Sequence, residues 1–231
     1  MTTIINTLAD AKRIAGNLGT RNAKMPGPDY SISPSRCLTG AKLATIPGST
    51  CAGCYAISLE RAYPSARKGW NQNLDTAVAA IALDADAWAR AMAFQIKWQC
   101  AKLGEDVMRW FGAGDLQSVD MLRAIIRVCE LTPHIRHWLP TREATIVRDW
   151  RKAGGQEPDN LVIRISATMI GDAPRNAPHT STVHRHGETV HGHACPANSA
   201  AHRATNDGKA SCADCRACWS RDVANVSYPF H

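Results

Sequence analysis

Several things are missing from this sequence of 231 residues, and each absence removes a class of protein. No stretch approaches the unbroken apolar run of about 20 residues that a membrane-crossing helix needs, so no membrane association is expected. The first fifteen residues break their apolar positions with Asp10, Lys12 and Arg13 and hold no signal-peptide core. The expected compartment is therefore a reducing cytoplasm, where structural disulfides are rare. Basic residues exceed acidic ones by seven, yet they are scattered, with no run of the kind that marks a nucleic-acid-binding arm. Weak, sequence-tolerant binding to nucleic acid is the most that this charge predicts. What remains is a chain with 45% hydrophobic residues, enough for a packed core, and nine cysteines.

An odd number of cysteines in a reducing compartment points to metal ligation or catalysis and away from a disulfide framework. Cys100 and Cys129 stand alone in helix-like segments and read as small core hydrophobes. The other seven form two groups. Cys212-x2-Cys215-x2-Cys218 lets consecutive thiolates curl round one inorganic centre, and Cys195-Pro196 supplies a remote fourth, upstream of the run. Three closely spaced cysteines plus a remote Cys-Pro is the ligand arithmetic of a ferredoxin-type 4Fe-4S cluster. A four-cysteine zinc site matches the same ligand count, although zinc usually takes two CxxC pairs on separate knuckles. His191, His193 and His202 lie near in sequence and read as solvated loop histidines. The second group, Cys37-x13-Cys51-x2-Cys54, offers three thiolates. Three can hold a 4Fe-4S cluster and leave one iron open to S-adenosylmethionine or to a Lewis-acid role. A zinc knuckle completed by a distant residue is the alternative.

Around these groups the hydrophobic pattern predicts an α/β fold. Residues 1–36 read as a short helical stretch followed by an extended loop with Pro26, Gly27, Pro28 and Pro34, and residues 37–55 as a further loop. Residues 73–100 carry helical periodicity with a break capped by Asp84 or Asp86. Strands are expected at 107–111, 136–140 and 161–166, separated by helices over 119–131 and 143–153. This alternation fits a partial parallel (β/α) barrel. Its strands end in Asp115, in Thr141 with Arg142, and in Ser166, and the carboxyl ends of parallel strands form the active face of such folds. Those four residues are the candidate catalytic set. Residues 1–172 are expected to form the barrel with its cysteine loop. Residues 173–231 would form a cysteine-rich segment: a long loop to residue 193, the second cysteine group, and a last strand near 223–228. With so few apolar residues, that segment needs a staple, and a metal cluster is the expected one.

The motifs Lys24-Met25-Pro26-Gly27, Cys37-Leu38-Thr39-Gly40 and Ile46-Pro47-Gly48-Ser49-Thr50-Cys51-Ala52-Gly53-Cys54-Tyr55-Ala56 resemble the N-terminal signature of the bacteriophage gene-product-eighty-eight family. The likeness continues through Gly114-Asp115-Leu116, Trp138-Leu139-Pro140-Thr141-Arg142 and Ile163-Arg164-Ile165-Ser166 to Cys195-Pro196 and the CxxCxxC-Trp219 ending, nearly the whole chain. A related phage group with radical-SAM-like barrels has a similar order of motifs. The resemblance implies a phage protein in the cytoplasm of the infected bacterium, with a cluster at the mouth of a partial barrel. Two departures stand out. The spacing Cys37-x13-Cys51-x2-Cys54 differs from the radical-SAM CxxxCxxC, and Tyr55 follows the last cysteine where an aromatic usually precedes it.

Three functions follow as expectations. The first is a radical-SAM-like or other iron–sulfur oxidoreductase acting on an unidentified small-molecule or macromolecular substrate. The second is a regulatory or nucleic-acid-associated phage protein with a structural iron–sulfur or zinc centre. The third is an electron-transfer protein carrying one or two clusters.

Overall fold

The computed structural model describes residues 4–19 and 24–230. Helix α1 (Leu8–Ala15) starts on a capping box in which Thr7 and Asp10 satisfy each other's backbone N–H groups. After strand β1 (Asp29–Tyr30) come helices α2 (Leu38–Leu43), α3 (Tyr55–Ala62) and α4 (Pro64–Leu103). The 40 residues of α4 are two helices joined at a kink. Asp84 leaves the helical region (φ −156°, ψ 89°), and its carboxylate accepts the N–H of Ala87 to start the second. Strand β2 (Val107–Trp110), helix α5 (Val119–Leu131), strand β3 (Arg136–Thr141), helix α6 (Ala144–Lys152) and strand β4 (Leu161–Ser166) then alternate as the sequence pattern predicts. Strands β5 (Thr180–His184) and β6 (His193–Ala194), helix α7 (Ala200–Ala204) and strand β7 (Asn225–Pro229) complete the chain. Among the described residues no helix is long and apolar enough to cross a membrane.

The seven strands form one parallel sheet in the order β1-β2-β3-β4-β5-β7-β6. It draws strands from both sides of residue 172. Five neighbours in chain order require crossovers that all turn the same way, which puts the connecting helices on one face. The packing agrees. Met108, Trp110, Leu139, Leu161, Ile163 and Ile165 share a core with residues of α1, α4, α5 and α6. Residues on alternate positions face the other way, and there Val107 and Trp138 pack with Met25 and Trp219. All six residues of β4 are consequently buried, as a strand covered on both faces must be.

Several segments that read as loops are built into this frame, β1 and the start of β6 among them. Residues 38–43 form α2, too short to show a helical period. Within 173–193 lies β5, whose Thr-Ser-Thr-Val-His sequence has no apolar alternation because its polar side chains bond to one another across the sheet. Asn225 donates to Thr182 Oγ1 and accepts from Thr180 Oγ1, and Ser227 Oγ meets His184 Nδ1 at 2.7 Å.

His137 shows how the helical face handles a polar group. Its ring is fully buried; Trp110 Nε1 donates to Nδ1 at 3.2 Å, so Nε2 carries the proton and faces Thr132 Oγ1 at 2.8 Å. The Thr132 hydroxyl in turn donates to the carbonyl of Val128. Burial holds the ring neutral, with its pKa lowered to about 3. An unfolded histidine titrates near 6.5, so the unfolded chain binds the extra proton and this contribution to stability is lost as pH falls from 6.5 towards 3. Denaturant titrations across that window should show a loss of up to about 1.4 kcal/mol per pH unit from this group. His137→Gln should have a shallower pH dependence than the parent protein, and an identical one would contradict the assignment.

Candidate metal centres

The three N-terminal thiols are held by short local structures. Cys37 precedes the first turn of α2, and Cys54 is the N-cap of α3, its N–H donating to the carbonyl of Cys51 at 3.1 Å. The Cβ of an alanine at Gly40 would lie 3.6 Å from Cys37 Sγ and 3.7 Å from Cys51 Sγ, so the two sulfurs gather on either side of a residue without a side chain. Burial raises the Cys37 thiol well above its usual range, aided by Asp115 and by the other two thiols, while Arg142 opposes the rise. Cys51 is raised for the same first reason. Thiols that repel one another as thiolates are what a cationic centre offsets.

The loop carrying them is tied to the carboxyl ends of the strands. Thr50 N–H donates to the carbonyl of Thr168, and Ile170 N–H donates back to Gly48, just past β4. Glu143, buried at the start of α6, accepts from Thr39 N–H at 2.7 Å and Thr39 Oγ1 at 2.8 Å, which pins α2. Sequence reasoning missed Glu143; its place beside Thr141-Arg142 was the available signal. Asp115, 4% exposed, accepts from Thr141 Oγ1 at 2.6 Å, Arg142 N–H at 2.9 Å and its neighbour Leu116 N–H at 2.7 Å. Its pKa rises to about 6 because burial outweighs these donors. Gly114 is required there: φ is +83°, and a Cβ would meet Ile32 Cγ1 at 2.4 Å. Arg142 Nε donates to Thr50 Oγ1, linking the β3 end to the thiol loop. The structure thus brings Asp115, Thr141 and Arg142 together with Cys37, Cys51 and Cys54. Ser166 bonds instead to Ser181, at the end of β4.

The second thiol group covers the sheet's other face. Cys195 N–H donates to Ser227 on β7 and Cys212 N–H to Lys24. Ala213 takes a φ of 43°, a left-handed turn costing roughly 1–2 kcal/mol, between Cys212 and Cys215. His193, exposed on β6 as a solvated histidine is expected to be, has its Nε2 3.6 Å from Cys215 Sγ. Cys218 Sγ lies 3.2 Å from the Tyr228 hydroxyl, and burial pushes its thiol up to about 12. Electrostatic coupling links Cys218 to Cys195 and Cys212, and Cys212 to Cys215. Cys100 and Cys129 are buried apart from both groups, in the helical core. Among the described residues, no three His, Cys, Asp or Glu side chains close on one point as the ligands of a single metal ion would.

A staple other than metal is visible in this segment. Arg164, with no exposed surface, points from β4 into it and donates to the carbonyls of Ala217, Cys218 and Ser220 at 2.8–3.0 Å, with longer contacts to those of Thr180 and Ala224. Trp219 stacks edge-on against Trp138 at 5.3 Å and donates its ring N–H to Met108.

Fold and sites together define an α/β protein on a seven-stranded parallel sheet, with a three-thiol loop at the strands' carboxyl ends and a four-cysteine segment across the face opposite the helices. The sequence profile of the family described as Gene product 88 matches residues 10–221, and the chain belongs to this bacteriophage family. Neither the curated proteins nor the solved structures yield a match to it.

Replacing Arg164 should test how far the cysteine segment depends on it. Arg164→Met keeps much of the apolar stem but leaves buried carbonyls unpaired, at about 1–3 kcal/mol for such a group. The expected result is a loss of about 3 kcal/mol in denaturant unfolding and faster amide exchange in residues 212–224. Unchanged exchange there would show that the guanidinium does not hold the segment.

Proposed function

We propose that this protein carries iron–sulfur clusters on a partial parallel (β/α) barrel, and that the N-terminal one is the reactive centre of a radical-SAM-like enzyme. The observation that carries the reading is that Cys37 lies within electrostatic reach of Cys51, Cys54, Asp115 and Arg142 at the carboxyl end of the strands. Three thiolates complete three corners of a four-iron cluster. When bound, such a cluster supplies electrons one at a time and, at an iron without a protein ligand, a position for a chelating substrate.

The chain's own residues have definable parts in this reading. Arg142, placed by Thr50 and by its backbone bond to Asp115, offers a guanidinium to a carboxylate or phosphate. Asp115 orients Thr141 and the β3 end. Glu143 holds α2 and thereby Cys37. The C-terminal group, with four cysteines, is the fully ligated centre, suited to a structural or electron-transfer role. His193 and the Tyr228 hydroxyl stand close enough to Cys215 and Cys218 to tune it. The unbroken Cys212-x2-Cys215-x2-Cys218 run favours a cluster over a single zinc ion, which usually takes two CxxC pairs on separate knuckles.

Electron paramagnetic resonance of the anaerobically reduced protein tests the open iron. Adding S-adenosylmethionine should shift the signal of one cluster, and Cys37→Ala, Cys51→Ala or Cys54→Ala should remove that cluster while sparing the other. Cys100→Ala and Cys129→Ala should leave both unchanged. An unchanged spectrum with S-adenosylmethionine would eliminate the radical-SAM-like reading.

A further inference from the structure

Several arginines on the helices of this protein have acidic partners. Arg90 and Arg127 pair with Asp86, Arg123 with Asp120 and Arg148 with Asp149. The α3–α4 junction is different. Arg61, Arg67 and Lys68 fall within eight residues, all three are exposed, and none forms an ion pair among the described residues. No free carboxylate is near them in sequence. Between Asp29 and Asp75 the single acidic residue is Glu60. It is 3% exposed and engaged by Ser33 Oγ and the Ser35 N–H, while Asp75 is taken by Arg36. The acidic residues nearest in sequence are therefore already engaged elsewhere.

Exposed rings lie on the same stretch of chain. Tyr55 is 62% exposed and Tyr63 57%, with Leu59, 38% exposed, one helical turn from Tyr55. Tyr55 is fixed in place by its hydroxyl, which donates to the carbonyl of Gly112 at 3.0 Å, so its ring is a held platform. Two large rings left in water on one short stretch of surface need a reason. Cations that track a phosphate backbone, interleaved with rings on which bases stack, are the ingredients of single-strand binding.

We infer that the surface formed by α3 and the first turns of α4 binds single-stranded nucleic acid, with phosphates on Arg61, Arg67 and Lys68 and bases stacked on Tyr55 and Tyr63. Cys54 caps this same helix, so a strand held here runs past the three-thiol loop. A polynucleotide is then the substrate class of that loop, a step that rests on the iron–sulfur reading above; the binding surface itself does not.

Fluorescence anisotropy with a labelled oligothymidylate of about 20 nucleotides, longer than the roughly 4–16 that one such site covers, tests the surface. The oligonucleotide should bind at low salt and more tightly than a duplex of equal length. The triple variant Arg61→Ala, Arg67→Ala, Lys68→Ala should bind more weakly, with its salt slope reduced by about 2, at about 0.7 for each phosphate no longer neutralised. Tyr63→Ala should weaken binding by about tenfold. Arg123→Ala and Arg148→Ala, which also remove exposed charge, should change it little. Thermal unfolding and iron content, measured on each variant, establish that fold and sites are intact. No binding at low salt, a preference for duplex, or equal losses in the control variants would overturn the inference. Oligonucleotide binding by a protein that takes up no iron would sustain it while contradicting the cluster reading, so the two fail separately.

Discussion

A buried guanidinium sits where three parts of this molecule meet. Arg164 leaves the central strand β4, crosses to the face opposite the helices and binds the backbone of the cysteine-rich segment through several carbonyls. A positive charge without solvent access is expensive unless every donor is used, and here each nitrogen of the group finds a carbonyl. That arrangement lets a segment with little apolar surface lie over a sheet that would otherwise expose one face. Trp219, adjacent to Cys218, adds the apolar part of the same anchor. The positions of the C-terminal thiols follow, because the carbonyls that Arg164 gathers belong to the turn that carries Cys218.

The other thiol group depends on a different set of ties, all at the carboxyl ends of β2, β3 and β4. Asp115 accepts three hydrogen bonds and so joins the end of β2 to the end of β3. Glu143 and Thr50 extend that connection to the loop of residues 37–54. Parallel strands leave their carboxyl ends free of tight hairpins, and the long β1–β2 connection gives this loop room to fold back across them. Thiols, an acid and an arginine are thereby brought to one end of the sheet, while the second thiol group lies on the sheet's face under the control of Arg164. The two groups are thus anchored separately.

Much of this was legible in the sequence where burial alone decides structure. The amphipathic period of residues 119–131 matches α5, and the apolar runs before Gly112, Thr141 and Ala167 mark β2, β3 and β4. The break at Asp84 was visible because an aspartate inside a helical period is a cap. Cysteine spacing divided seven thiols into two groups and set apart Cys100 and Cys129, which the structure buries in the helical core. What escaped was held by polar contacts between distant residues. Strand β5 satisfies its hydroxyls against β7, and α2 is pinned by Glu143, about a hundred residues away. Arg164 inside an apolar run gives no sign that it crosses the sheet to serve as a staple, and the expectation that a metal alone orders the C-terminal segment therefore left it out. The cations of the α3–α4 junction were equally hidden, since they emerge only when the paired arginines elsewhere are subtracted.

The proposed function stands on whether the thiol groups hold iron–sulfur clusters, and composition reports that most directly. Protein purified without oxygen from iron-replete cells should contain iron and acid-labile sulfide in equal amounts, about four or eight of each per chain. Cys212→Ala, Cys215→Ala and Cys218→Ala should each lower both together. Stoichiometric zinc with no acid-labile sulfide would contradict the account.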